Sequence, residues 1–135
     1  MYMKRPGNQV QFSAHLTAQM ATDDRLRELQ LWILDNIESE ITIDGMAERA
    51  AMTPRTLHRR FKKATGYSPA NFISSCRVES ARRLLEESTL PIKSIAHQCG
   101  FGDEERMRRS FHRQLGVGPD AYRSRFTTTN TEHWR

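Results

Sequence analysis

The sequence predicts an all-α protein: seven helices, forming two helix-turn-helix subdomains joined by a long connector helix. Three observations carry that prediction. Apolar residues recur at spacings of three and four, and nothing alternates with period two over a useful length. Helix starts and stops punctuate the chain at regular intervals. One stretch also repeats: Ala47 pairs with Ala96 at a spacing of 49, and Phe61 with Phe111, Gly66 with Gly116 and Pro69 with Pro119 at 50.

Residues 1–21 show no sustained period and include Pro6, Gly7 and Asn8, so they read as a leader or linker. Thr22-Asp23-Asp24 then looks like a helix start, with a Thr N-cap and acids in the first turn. Leu26, Leu29, Ile33, Leu34 and Ile37 share one face, and this helix should run to about Ser39. Ile43–Ala51 is a short amphipathic helix. Thr53-Pro54 combines an N-cap with Pro at the first helical position, and the helix it opens should end at Thr65-Gly66. Ser68-Pro69 repeats the signal and opens a long helix to about Glu87. Pro91 opens a short helix ending near Cys99-Gly100. Asp103 caps another, ending near Leu115-Gly116. Gly118-Pro119 opens the last, to about Arg125. Residues 127–135 read as a flexible tail.

The repeated unit is a short helix, a tight turn, a longer helix, a Gly, then a Pro-started helix. Its copies span about 43–66 and about 92–116, and the single-residue difference in spacing falls in the tight turn. The connector, residues 69–87, is roughly 27 Å long at about 1.5 Å per residue. Ala47 and Ala96 are small, as suits two helices crossing closely. Leu57, Phe61 and Ala64 should share a core face in the first copy, matched by Met107, Phe111 and Leu115 in the second.

The 135 residues carry 21 Lys+Arg against 16 Asp+Glu, a net charge of +5. That charge is uneven. Residues 22–41 hold two bases and six acids, whereas residues 42–126 hold sixteen bases and nine acids, a surplus of seven. A basic stretch behind an acidic segment suggests a polyanion partner. No apolar run approaches the roughly 20 residues of a membrane span, and no secretory pattern opens the chain. Two cysteines, Cys76 and Cys99, make no disulfide framework and suit a reduced cytoplasm. With His97 they form no convincing metal set, since ligands two apart on a helix face different ways. The sequence has no phosphate-cradling loop and no nucleophile beside a positioned base, so an enzyme is not expected, nor a cofactor.

The information lies opposite the core stripe of the first long repeat helix. With Leu57 at zero and about 100° per residue, His58 falls near 100°, Lys62 near 140°, Arg55 near 160° and Arg59 near 200°. Residues 54–63 contain Arg55, Arg59, Arg60, Lys62 and Lys63 and no acid. A solvated face usually mixes signs at spacings of three and four. An acid-free basic face on a repeated helix-turn-helix points to nucleic acid.

ITIDGMAERAAMTPRTLHRRFKKATGYSPANFI and PIKSIAHQCGFGDEERMRRSFHRQLGVGPDAYRSRF resemble the two halves of the AraC/XylS-type DNA-binding domain, over about residues 24–126. The second half carries the most specific signature: Ile95-Ala96, Gly100-Phe101, Phe111, Gly116, Pro119 and Tyr122. The resemblance implies a DNA-binding domain over residues 22–126 of a cytoplasmic, nucleoid-associated transcription regulator. One monomer would place both recognition helices in successive major-groove segments of double-stranded operator DNA, about 34 Å apart. Activation through RNA polymerase is the commoner behaviour in this family, and repression is the runner-up. Gly7-Asn8-Gln9-Val10-Gln11-Phe12 resembles the segment before this domain in members with an N-terminal amidotransferase-like (DJ-1/PfpI-type) sensor, which implies an effector-sensing domain outside this chain.

The same resemblance places base-reading positions on Arg55, His58 and Arg59. Arg can bond bidentately to a guanine edge, and His58 reads a base edge or meets phosphate or solvent. Arg60, Lys62, Lys63 and the capping Thr53 fall to the DNA backbone. In the second copy the matching positions are Glu105, Arg108 and Arg109, with Arg106 beside them and Ser110 and Arg113 toward the backbone. Arg77 and Arg123 are weaker backbone candidates. Glu105 can accept from a cytosine amino group, or pair with Arg109 one turn on. The second copy should therefore bind less tightly than the first. The rival reading is a helical protein-interaction module that needs no DNA.

Overall fold

A computed structural model describes residues 20–125. Every regular element among them is an α-helix: α1 (Asp24–Asp35), α2 (Ile43–Arg49), α3 (Pro54–Thr65), α4 (Pro69–Glu87), α5 (Ile92–Gln98), α6 (Glu104–Leu115) and α7, described over residues 119–125. Most of the leader, including the segment 7–12, and the tail lie outside the described residues. No described helix is long and apolar enough to cross a membrane.

The caps explain the boundaries. Thr53 Oγ1 accepts from the Thr56 N–H at 3.1 Å, and Asp103 Oδ1 accepts from the Arg106 N–H at 2.8 Å, so α3 and α6 start alike. Both stop alike too. Gly66 (φ 84°) and Gly116 (φ 79°) take the left-handed conformation, and their N–H groups donate to Lys62 O and His112 O. At α1 the cap is Asp23 rather than Thr22. Its carboxylate accepts from the Arg25 and Leu26 N–H groups, at 2.9 and 3.2 Å. This helix ends at Asp35, short of Ser39, where Asn36 leaves helical geometry and donates from Nδ2 to Trp32 O at 2.8 Å. Ile37 still packs on the core from the turn beyond.

The chain divides into two units within α4, after Cys76. In the first, Leu26, Leu29 and Ile33 of α1, Met46 and Ala47 of α2, Leu57 and Phe61 of α3, and Phe72, Ile73 and Cys76 of α4 make one buried cluster. The acidic helix α1 thus contributes its apolar stripe to this core. In the second unit Val78, Ala81 and Leu85 of α4 meet Ile95 and Ala96 of α5, Cys99, Phe101, and Met107 and Phe111 of α6.

The repeat extends to ring geometry. Phe61 and Phe72 pack edge to face with centroids 5.6 Å apart, and Phe111 and Tyr122 do so at 6.2 Å. Both members of each pair stand 50 residues from their counterparts. Phe61 and Phe111 are fully buried, and burial of a side chain of that size contributes about 2–3 kcal/mol.

The tight turns match as well. The Met52 N–H donates to Ala47 O and the Phe101 N–H to Ala96 O, each at 2.9 Å. The reversal needs a positive φ in both copies. Gly100 supplies it at 89°, whereas in the first copy Ala51 is held at 57°.

One core assignment changes. Ala64 is exposed and Thr65 turns inward, donating from Oγ1 to Phe61 O at 2.8 Å. The core face of α3 therefore drifts along Leu57, Phe61 and Thr65, and Leu115 takes the corresponding place in α6.

Candidate nucleic-acid interface

On α3, burying Leu57 and Phe61 turns the opposite face outward. Arg55, His58, Arg59, Arg60, Lys62 and Lys63 are all exposed, as is the capping Thr53. None of these arginines and lysines carries an ion pair among the described residues. The N-terminal turn has Pro54 and no acid, so helix dipole and side chains present one sign of charge. Such a face can bond guanine edges through its arginines and neutralise phosphates through its lysines.

On α6, Glu105, Arg106, Arg108, Arg109 and Arg113 are exposed on the equivalent face. Their electrostatics differ. Arg108 donates Nη2 to Glu105 Oε2 at 2.6 Å and Nε to Oε1 at 3.2 Å. Arg109 Nε stands 3.7 Å from the same Oε2, the i+4 pairing that the spacing allows. Arg106 Nε lies 4.0 Å from Asp103, and Arg113 Nη2 donates to Ser110 Oγ at 3.3 Å. The hydrogen bond from Arg108 holds the Glu105 carboxyl below its ordinary range, and the guanidinium of Arg108 is raised in return. The closer Glu105–Arg108 contact was legible only as an i+3 spacing.

Ser110 does not share this exposed face. It is 8% exposed. One position before Phe111 and three after Met107, it lies on the edge of the core stripe, where it orients Arg113.

Arg123 also serves inside the second unit. Its guanidinium donates to Leu90 O at 2.6 Å, Ser88 O at 3.1 Å and Leu85 O at 3.3 Å, satisfying carbonyls at and beyond the end of α4. Beside it Tyr122 donates its hydroxyl to Glu86 and accepts from Arg82 Nε at 3.1 Å. Burial foremost, and donation to Glu86 next, push the Tyr122 phenol up, while the Tyr122 hydrogen bond foremost raises Arg82. His97 is exposed and Cys99 buried, so the two diverge.

The family described as "Helix-turn-helix domain" matches residues 46–125, more than half of the chain. A relative named HTH-type transcriptional regulator Rv1931c, from Mycobacterium tuberculosis, is 46% identical over 84 residues, covering 62% of this chain and 32% of the relative. The HTH-type transcriptional activator RhaS of Salmonella arizonae is 34% identical over 97 residues, covering 72% of this chain and 35% of the relative. The chain thus spans about a third of the length of these curated relatives. A crystal structure of the DNA-binding domain of the global transcriptional factor AdpA, in complex with a target DNA, superposes with a TM-score of 0.73 at 36% identity, covering 76% of this chain and 92% of that one. With its duplicated cores, matched turns and matched caps, the chain belongs to the AraC-type helix-turn-helix family.

Proposed function

We propose that this chain is the DNA-binding part of a transcriptional regulator that reads double-stranded DNA through α3 and α6. The observation that carries this is the exposed basic face of α3, free of acids from Pro54 to Lys63 and backed by a buried core stripe. Arg55 and Arg59 read guanine edges, with His58 between them. Arg60, Lys62, Lys63 and Thr53 hold the backbone. On α6, Arg109 is the leading base reader, with Arg106, Arg108 and Glu105 beside it and Arg113 on the backbone. The duplicated unit supports two contacts in successive major-groove segments, about one helical turn apart.

The chain acts as an activator, a reading supported by the activator relatives, and touches RNA polymerase, as the family resemblance implies. It works in the cytoplasm at the nucleoid. Its leader joins it to an effector-sensing domain of the amidotransferase-like type, supported by the segment 7–12. A 15.7 kDa product from the native locus would overturn that last point.

Selection of bound duplexes from a randomised library tests the main reading. Two short conserved blocks about one turn apart are expected, and affinity should fall steeply with salt as neutralised phosphates release counterions. A single block would restrict base reading to α3. No enrichment, with a flat salt response, would favour a protein-interaction module.

A further inference from the structure

The two reading helices share a core pattern but treat their exposed cations in opposite ways. Arg55 of α3 occupies the place that Glu105 takes in α6, and Arg59 that of Arg109. The cations of α3 are unpaired among the described residues, whereas one carboxylate in α6 engages two arginines. Arg108, Arg109 and Glu105 all keep more than half of their side-chain surface exposed, so the group lies at the face that would meet a duplex.

We propose that Glu105 is a specificity-determining residue: it occupies Arg108 and Arg109 as an internal counter-ion and so penalises duplexes that offer only phosphate. This rests on the DNA-binding reading above. A phosphate arriving at α6 replaces a carboxylate already bonded twice to Arg108 and meets the negative charge of Glu105, so the exchange gains little. A cognate site offers more. A guanine edge takes an arginine bidentately, and the released carboxylate accepts from a cytosine amino group. Non-specific affinity is lowered and cognate affinity largely kept, so the ratio between them rises. The two helices then divide the work: α3 reads bases and also holds any duplex through its unpaired cations, while α6 adds a second sequence test that phosphate alone does not satisfy.

The test compares Glu105→Gln with Glu104→Gln, which makes the same charge change one residue away on the exposed first turn. Each variant and the unaltered chain are titrated by fluorescence anisotropy with an unselected duplex library and with the pool selected on the unaltered chain. Glu105→Gln should tighten library binding about threefold to fivefold, the scale of one exposed ion pair, and narrow the gap between pool and library. Its library salt slope should steepen by about one, as for one added phosphate contact. Glu104→Gln should change both affinities evenly. In an Arg108→Ala background the gain from Glu105→Gln should shrink. Equal gains on both duplex sets, a match to Glu104→Gln, or a gain undiminished in the Arg108→Ala background would overturn the proposal while leaving DNA binding intact. An unaltered chain that binds neither duplex set would instead remove the reading on which the proposal rests.

Discussion

Glu105 and Arg108 stand one turn apart on α6 and are joined side-on by two hydrogen bonds, at 2.6 and 3.2 Å. The corresponding residues of α3, Arg55 and His58, hold no acid between them. The same helical scaffold thus presents a bare basic face once and a self-countered one the second time.

This pair sets a pH expectation. The Arg108 hydrogen bond depresses the folded-state pKa of Glu105, so the pair persists above the ordinary carboxylate range and opens only as pH falls through the lowered value. Any stability it contributes is present at neutral pH and lost in acid. A carboxyl-detected NMR titration should give Glu105 a lower midpoint in the unaltered chain than in Arg108→Ala. Equal midpoints would contradict this.

Affinity should follow the free cations. Arg55→Ala and Arg59→Ala are expected to weaken binding to a selected duplex by about tenfold to a hundredfold and to relax the preference at one base each. Arg109→Ala should cost less, because Glu105 already engages Arg109. Lys62→Ala and Lys63→Ala should weaken all duplexes evenly and lower the salt slope by about one each. Equal losses across the three arginine variants in a gel-shift series would count against the ranking.

The tight turns give a stability prediction of opposite sign in the two copies. Ala51 sits at φ 57°, in a region that disfavours side chains by about 1–2 kcal/mol. Ala51→Gly relieves that strain but adds unfolded-state freedom, so a net gain of about 0.5–1 kcal/mol is expected. Gly100→Ala should cost about 1–2 kcal/mol. Urea denaturation of both variants measures this.

Tyr122→Phe isolates the polar edge of the second core. The ring would keep its packing on Phe111, as Phe72 does on Phe61 in the first copy. Glu86 would lose its hydroxyl donor and Arg82 its acceptor. A loss of about 1–2 kcal/mol in thermal or chemical unfolding is expected. A neutral result would mean that solvent replaces both contacts.

Punctuation made most of this architecture legible. Thr53, Gly66, Pro69, Asp103, Gly116 and Pro119 each do locally what their chemistry suggests, because caps and left-handed glycines depend on immediate neighbours. Relations set by packing were not legible. Thr22 and Asp23 are both good caps, and only the chain path selects Asp23. Ala64 falls on the ideal core face, but the face drifts toward Thr65 in the last turn. Arg123 reads as a surface cation until the end of α4 places three carbonyls around it. At the candidate interface, residue types identified the exposed face. The near-burial of Ser110 was not legible, because a small hydroxyl fits the edge of a core as well as it meets a phosphate, nor was the pairing of Arg108 with Glu105, because an i+3 partner is one of several within reach.

The paired rings, Phe61 with Phe72 and Phe111 with Tyr122, give each half of the chain its own keel on the side away from the exposed arginines. The outward residues of α3 and α6 are therefore editable text on a fixed page. Glu105 and Arg108 lie outside the buried cluster that holds Met107 and Phe111, so, on the proposed DNA-reading role, new recognition preferences would be reached by rewriting a few surface letters in either half alone.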